Sequence, residues 1–393
     1  MSVNKNYSVH FYFILWCLYY LQGTLYREGS FISQGILLLV LFVSIAHFVR
    51  SHNLGIPRTL KYVDFFLVMI IVYGFIGFIN GYIINVRGMT VMDYVKGVLV
   101  SFLPIYSFYY YSRRGEVTEH HLNIWTIVLL VVYSLSFIYK GTGDNSPINI
   151  VGNIEEGTNN AGYLLVSLIP LLFFLSKKPV IQYMALAIIV FFALTSVKRG
   201  AIILGLIMSI VIVATSLKNR TIWQKTLIVF LFVGIVYIGY SYVLYLISSS
   251  DYVNFRIQMT ESGNSSDRDR IYKYFFNSFI NQTNPGKFLF GSGAFATMRM
   301  FGIAAHNDWL ELAINQGMFG LIVYLMYWIS LIKDWRKCHD DKIVFMAMGL
   351  TSMFLLFRTF VSMSYSMIPL SCSLMLGYGL ATSVKNSNYR ITK

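Results

Sequence analysis

Apolar residues occur along the chain in runs that are long enough to cross a lipid bilayer. Each run approaches or exceeds the roughly 18 to 20 residues that the hydrocarbon core requires, and short polar stretches separate the runs. This pattern predicts an all-α polytopic integral membrane protein with about twelve transmembrane helices, in a single membrane domain over residues 1–393. The predicted spans are 10–26, 31–49, 63–84, 95–111, 122–139, 160–176, 180–197, 200–216, 225–247, 317–332, 343–361 and 364–383.

The composition supports a membrane protein and argues against other classes. Hydrophobic residues make up 56% of the chain and charged residues only 12%, which is too apolar for a soluble globule of this size. A net charge of +14 is compatible with nucleic-acid binding. However, the basic residues lie in small groups between the spans, where membrane lipids are the expected partner. Cys17, Cys338 and Cys372 lack the spacing of a disulfide framework or a zinc site.

The distribution of basic residues predicts the orientation of the chain. If the N-terminus is cytoplasmic, more than half of the 31 lysine and arginine residues fall in cytoplasmic segments, as the positive-inside rule requires. Lys5 precedes the first run, which we interpret as a retained anchor helix. We therefore expect a multi-pass protein of the bacterial cytoplasmic (inner) membrane, with both termini cytoplasmic.

Two predicted extracytoplasmic segments are longer than ordinary turns. Residues 140–159 are acidic and loop-like, and residues 248–316 form by far the longest connection. Long connections often carry function. Within the second, Ile271, Tyr272, Phe275 and Phe279 recur at helical spacing beside polar residues, which predicts short amphipathic helices along the membrane surface. The alternative is an aromatic stripe that only docks the loop.

His306 is the candidate catalytic base. It precedes a second helical pattern, for which either Asn307 or Asp308 is a suitable N-cap. The positive end of the helix dipole opposes protonation of an imidazole, so His306 would be neutral and able to accept a proton. The alternative is a solvated histidine with no role in chemistry.

Lys198 and Arg199 form a cationic pair in a very short predicted extracytoplasmic connection. The positive-inside rule gives no reason for two cations there, so the pair suggests binding of a polyanion. Snorkelling toward lipid headgroups is the alternative. Arg358, near the outer end of the eleventh span, is a further candidate of the same kind.

Arg268 and Arg270 alternate with Asp267 and Asp269 in the long loop. The arginines are candidate anion ligands, and internal ion pairing is the alternative. The two aspartates resemble the metal-binding motif of nucleotide-sugar transferases. Nucleotide sugars are absent outside the cytoplasm, however, and arginines adjoin both carboxylates. We therefore predict neither a metal nor another cofactor.

The segment from His306-Asn307 to Gly317-Met-Phe-Gly320 resembles the signature of the O-antigen ligase and polymerase superfamily, which includes Wzy-type polymerases and WaaL-type ligases. The resemblance covers about residues 158 to 325, and the first half of the chain matches only as a set of spans. Three further segments agree in order: TSVKRGAIILGL with an additional Lys198, SSDRDRIY with Tyr272 in place of tryptophan, and NPGKFLFGSG.

This resemblance implies a glycosyltransferase that moves a glycan from undecaprenyl diphosphate to an acceptor hydroxyl, outside the cytoplasmic membrane and without a metal. By position, His306 would be the base, and Arg199 and Arg268 would bind the diphosphate. The other residues that we assign to the site are cations and supporting residues near these three. They are Lys198, Arg270, Arg358, Asn307, Asp308, Gly317 and Gly320.

The chemistry is coherent without the resemblance, because a lipid diphosphate is already an activated leaving group. Catalysis then needs a base for the incoming hydroxyl and cations for the departing charge, and arginine binds phosphate oxygens well. We expect an enzyme that polymerises lipid-linked repeat units into O-antigen, capsule or exopolysaccharide, with lipid-linked glycan as donor and acceptor. A flippase and a chain-length regulator are candidate partners.

Two alternatives to a polymerase remain open. A ligase would use the same donor to deliver finished glycan to lipid A core, as in lipopolysaccharide, or to protein. A transporter or flippase for lipid-linked glycan would be expected to have broken helices and ionisable residues near the middle of the membrane.

Overall fold

The structure is a computed structural model, and every regular element that it describes is helical, which confirms the all-α class. Seven of the described helices are long and apolar enough to cross a membrane. The chain is therefore a membrane-embedded helical protein. The described residues are 7–22, 24–26, 30–81, 90–142, 161–196, 198–217, 221–249, 258, 268–362 and 364–391.

The helices follow the predicted spans in order, with additional short helices in the long loop. Each predicted span overlaps a helix, although the ends differ by several residues. The helices are α1 (Tyr7–Tyr20), α2 (Phe31–Asn53), α3 (Arg58–Ile79), α4 (Val91–Arg113), α5 (Glu119–Thr142), α6 (Ala161–Val166), α7 (Pro179–Thr195), α8 (Arg199–Leu217), α9 (Ile222–Ser249), α10 (Arg268–Ile280), α11 (Pro285–Phe290), α12 (Ala296–Phe301), α13 (Asp308–Arg336), α14 (Lys342–Val361) and α15 (Leu370–Ile391).

The sixth and tenth spans depart from the prediction. The sixth is α6 followed by a 3₁₀ helix, Ile169–Leu175, whose second residue is Pro170; proline has no N–H to continue an α-helix. The tenth belongs to α13, which begins nine residues before the predicted start and has non-helical backbone angles at Gly317. Both differences arise from residues that interrupt regular hydrogen bonding.

The chain forms two compact units, each assembled from three separate segments. In the first unit, α1 packs on α5, where the rings of Phe13 and Trp125 stack with centroids 4.6 Å apart. The prediction of a single membrane domain over residues 1–393 stays a prediction. The first unit comprises Met1–Val43, Arg114–Asn264 and Met346–Thr351, and the second comprises Ser44–Arg113, Ser265–Phe345 and Ser352–Lys393.

The second unit contains the candidate site and has two close helix pairs. In the first pair, α4 packs on α15 at Gly377, where an added Cβ would lie 2.6 Å from the Phe108 Cβ; glycine allows this approach. In the second, the Thr59 hydroxyl at the start of α3 donates to Asp334 of α13 at 2.7 Å. These contacts fix the frame that carries the N-terminal part of α13.

The long loop folds over the N-terminal part of α13 through an apolar cluster. Phe275 and Phe279 of α10 are buried with Ala305 and with Ala313 and Ile314 of α13. The apolar face that the spacing predicted packs on α13, as in the docking alternative, and a position of α10 along the membrane surface stays a prediction. The apolar cluster therefore attaches the loop to the helix that follows it.

Candidate functional site

The N-terminus of α13 is capped by Asn307, which decides between the two predicted caps. Its side-chain oxygen accepts a hydrogen bond from the Leu310 N–H at 3.1 Å, and its amide donates to the Phe360 carbonyl at 3.3 Å. Asn307 thus satisfies one of the free N–H groups of the helix. It also ties the start of α13 to the end of α14.

Gly317 and Gly291 let two backbone segments touch. Gly317 has φ 67° and ψ −163°, angles that L side chains avoid. A Cβ at Gly317 would lie 2.5 Å from the Gly291 nitrogen and 2.6 Å from the Leu289 carbonyl. The Ser292 and Gly293 N–H groups then donate to the Ile314 and Asn315 carbonyls, each at 2.9 Å. The glycine of the sequence motif therefore seats the loop on α13.

Glu311 connects the two ends of the segment that leads to His306. Its buried carboxylate accepts hydrogen bonds from the Ala305 N–H at 2.8 Å, from the Thr297 hydroxyl and from the Asn315 amide at 3.3 Å. Asn315 in turn accepts from the Thr297 N–H at 3.1 Å. The residue immediately before His306 is thereby fixed to the helix that follows it.

His306 is exposed and has a left-handed backbone conformation, with φ 51°. Such angles are uncommon outside glycine and persist when the surrounding structure holds them. Here the Tyr272 hydroxyl lies 3.2 Å from the His306 carbonyl, while Glu311 holds Ala305 and the cap fixes Asn307. The imidazole is thus presented outward from an anchored backbone.

Asp308 is fully buried and holds the segment between α14 and α15. It accepts hydrogen bonds from the Tyr324 hydroxyl and the Ser364 N–H, each at 2.7 Å, and from the Tyr365 N–H at 3.2 Å. Arg358 is also buried and donates to the Met367 carbonyl at 2.9 Å. The supporting role of Asp308 in the site and the binding of a diphosphate by Arg358 both stay predictions.

Helix α10 places two predicted cations and Tyr272 beside α13 and α14. Arg268 donates to the Val361 carbonyl at 2.9 Å, and Arg270 is exposed. The Tyr272 hydroxyl also lies 2.9 Å from the Phe360 carbonyl. Burial raises the pKa of Tyr272, while the Arg268 charge and a hydrogen bond with Asn307 act in the opposite direction. The phenol is therefore a neutral donor at neutral pH.

A groove of about 800 Å³ opens between α10, the start of α13 and the end of α14. A volume of this size suits a small ligand. Its lining combines aromatic rings with charged and amide side chains. The lining residues are Asp269, Arg270, Tyr272, Lys273, Phe276, Asn307, Trp309, Leu310 and Phe360.

Lys198 and Arg199 lie in the first unit, so the second unit brings His306, Arg268 and Arg270 together without them. Arg199 is the first residue of α8, where the helix dipole opposes a positive charge, and Lys198 precedes it. Their role as anion ligands stays a prediction. Asp267 and most of the acidic segment 140–159 lie outside the described residues.

Sequence reasoning missed Glu311, Trp309 and Asn315. The available signal was the spacing of Glu311 and Asn315, which are four residues apart and therefore share one face of a helix. Polar residues at this spacing, shortly before a predicted span, indicate buried hydrogen bonding.

The chain matches no family model and no curated protein sequence. We therefore infer the function from the residues of the site.

Proposed function

We propose that this protein is a metal-independent glycosyltransferase that joins polyprenyl-diphosphate-linked repeat units into a surface polysaccharide at the outer face of the bacterial cytoplasmic membrane. The observation that carries the proposal is His306, an exposed imidazole on a backbone that Glu311, Asn307 and Tyr272 hold from three directions. Side chains that are held in this way suit catalysis, because little reorganisation accompanies the reaction.

In the proposed reaction, an imidazole nitrogen of His306 accepts the proton of the acceptor hydroxyl. The hydroxyl oxygen attacks the anomeric carbon of the donor, and the bond from that carbon to the diphosphate oxygen breaks. The electron pair leaves with the polyprenyl diphosphate. A single displacement of this kind inverts the anomeric configuration, and a product of unchanged configuration would count against it.

The arginines of α10 support the second half of the reaction. Arg268 and Arg270 lie on the helix whose Tyr272 contacts the His306 carbonyl, so base and cations share one unit. A planar guanidinium can donate two hydrogen bonds to phosphate oxygens. We assign Arg268 to the diphosphate of the donor, whereas Arg270 lines the groove between α10, α13 and α14.

The test is transfer by purified protein in lipid nanodiscs, with lipid-linked repeat units extracted from the host as the only substrate. The informative variant is His306→Asn, because asparagine tolerates left-handed backbone angles better than most residues and lacks a basic nitrogen. General-base catalysis is typically worth a factor of about 10² to 10⁴, so we expect His306→Asn to reduce transfer at least a hundredfold.

His339→Asn is the matched control, because His339 is also exposed and lies in the turn between α13 and α14. We expect its rate to stay within a factor of about two of wild type. Transfer by His306→Asn at the wild-type rate would contradict the proposal. Transfer only after addition of lipid A core or protein would identify a ligase, and movement of the lipid across the bilayer without bond formation would identify a flippase.

A further inference from the structure

We infer that the groove between α10, α13 and α14 binds a saccharide unit of the lipid-linked acceptor. The inference extends the proposed function and rests on it in one respect, the identification of the bound saccharide as part of the acceptor. The groove lining itself indicates the chemical class of the ligand, because it presents aromatic faces together with hydrogen-bond donors and acceptors.

The aromatic part of the groove is held in place. The Trp309 indole N–H donates to the Thr359 hydroxyl at 3.0 Å, and its ring stacks on Phe360 with centroids 6.1 Å apart and planes inclined by 29°. Tyr272 is fixed through its hydroxyl to the Phe360 carbonyl. Anchored aromatic side chains provide contact area at little cost in conformational entropy, which suits the flat C–H faces of a sugar ring.

The polar part of the groove comes mainly from α10. Arg270 and Lys273 provide donors, Asp269 provides an acceptor, and all three are exposed. Sugar hydroxyls both donate and accept hydrogen bonds, so they can use all of these groups. A prenyl chain would offer these charged groups no hydrogen bonds, and a phosphate would meet the carboxylate of Asp269.

The groove adjoins the candidate base. Asn307 lines the groove and directly follows His306, and the Tyr272 hydroxyl lies 3.2 Å from the His306 carbonyl. A saccharide in the groove would therefore lie next to the residue that we assign as its base. We assign the groove to the acceptor for this reason.

Photocrosslinking in the native host tests the inference with the natural ligand present. Benzoylphenylalanine replaces Phe276, which lines the groove and is 54% exposed. In the control it replaces Phe65 of α3, which is 60% exposed and does not line the groove. Cells receive labelled sugar or labelled prenyl precursor. The adduct is then treated with mild acid, which cleaves the bond between an anomeric carbon and a phosphate.

We expect sugar label to stay on the protein after acid treatment when the probe is at position 276, at least fivefold above the level at position 65. Retention of prenyl label with loss of sugar label would show that the groove holds a lipid chain. Equal labelling at the two positions would show that no ligand occupies the groove. Either result overturns the inference.

The same experiment in the His306→Asn background separates this inference from the proposed function. His306 does not line the groove, so we expect the sugar adduct to persist in that background. Normal transfer by His306→Asn together with a sugar adduct would show that His306 is not the base, and would still support the saccharide site. Loss of transfer together with an adduct that lacks sugar would support His306 as the base and contradict the saccharide site.

Kinetics of the purified enzyme provide a second readout. Phe276→Ala removes an aromatic face from the groove, so it should raise KM for the acceptor roughly three- to tenfold. Since Phe276 lines the groove and has no role in the proposed proton transfer or bond cleavage, kcat should change less than about twofold. Phe65→Ala should change neither constant, and an unchanged KM in Phe276→Ala would contradict the assignment.

Discussion

Replacement of Glu311 should open the loop that carries His306. The carboxylate is the acceptor for the Ala305 N–H, the Thr297 hydroxyl and the Asn315 amide, and Glu311 is fully buried. Glu311→Ala would leave these three donors inside the protein without their acceptor. Glu311→Gln keeps the length of the side chain and one acceptor oxygen.

The expected magnitude follows from the number of donors. Each buried donor that loses its acceptor costs about 1 to 3 kcal/mol, and removal of the buried charge offsets part of the sum. We expect Glu311→Ala to reduce the free energy of opening of this segment by about 3–5 kcal/mol. In Glu311→Gln, the Ala305 N–H keeps an acceptor and the Thr297 hydroxyl can accept from the new amide. Its cost should be about 1 kcal/mol.

Limited trypsin digestion of the detergent-purified protein measures this opening. Arg299 lies between Thr297 and Ala305, so cleavage after Arg299 reports on the segment that Glu311 holds. When opening is fast compared with cleavage, the rate follows the population of the open state. Glu311→Ala should therefore be cleaved after Arg299 at least a hundredfold faster than wild type, and Glu311→Gln by less than about tenfold.

Cleavage after the exposed Lys177 of the first unit provides the internal control, and its rate should not change. If Glu311→Ala and wild type are cleaved after Arg299 at the same rate, the hydrogen bonds of Glu311 do not hold the loop. A similar acceleration at Lys177 would indicate general unfolding and would contradict a local role of Glu311.

Three further predictions concern the rest of the second unit. Gly317→Ala should lower the thermal midpoint more than Gly302→Ala, because both positions have positive φ but only Gly317 has backbone atoms within 4 Å of an added Cβ; equal midpoints would show that the contact with Gly291 is unimportant. Asp308→Ala should reduce the free energy of unfolding by about 3–5 kcal/mol because three buried donors lose their acceptor, and denaturation with a wild-type midpoint would refute this. Burial raises the pKa of the Cys338 thiol to about 12; since only the thiolate reacts, alkylation at pH 8 should be about a thousandfold slower than for an exposed thiol, and rapid labelling of the native protein at Cys338 would contradict it.

The sequence predicted the helices well because a bilayer imposes a simple length requirement on apolar runs. It also narrowed the N-cap to Asn307 or Asp308 and predicted the apolar face of α10, since both depend on residues close together in the chain. The break in the sixth span follows from Pro170, which removes a backbone N–H donor from the helix.

The surroundings of the site depend on contacts between distant segments, which local patterns do not specify. Glu311 follows the cap by four residues, as a solvent-exposed glutamate in a first helical turn would. It is buried because residues 292–305 fold back over α13, and that return requires the backbone contact between Gly291 and Gly317. Its charge and its position near the outer end of a span make Arg358 a candidate ligand, but no local pattern predicts its hydrogen bond to the Met367 carbonyl.

The most direct test of the proposed function is glycan chain length in the native host. Cells whose own copy is deleted would receive wild type, His306→Asn or His339→Asn at matched membrane levels, and surface glycan would be separated on a gel. We predict a ladder of chain lengths for wild type and His339→Asn and a single attached repeat unit for His306→Asn. Long chains that remain on polyprenyl diphosphate in His306→Asn would indicate a ligase, and an unchanged ladder would contradict the proposed role of His306.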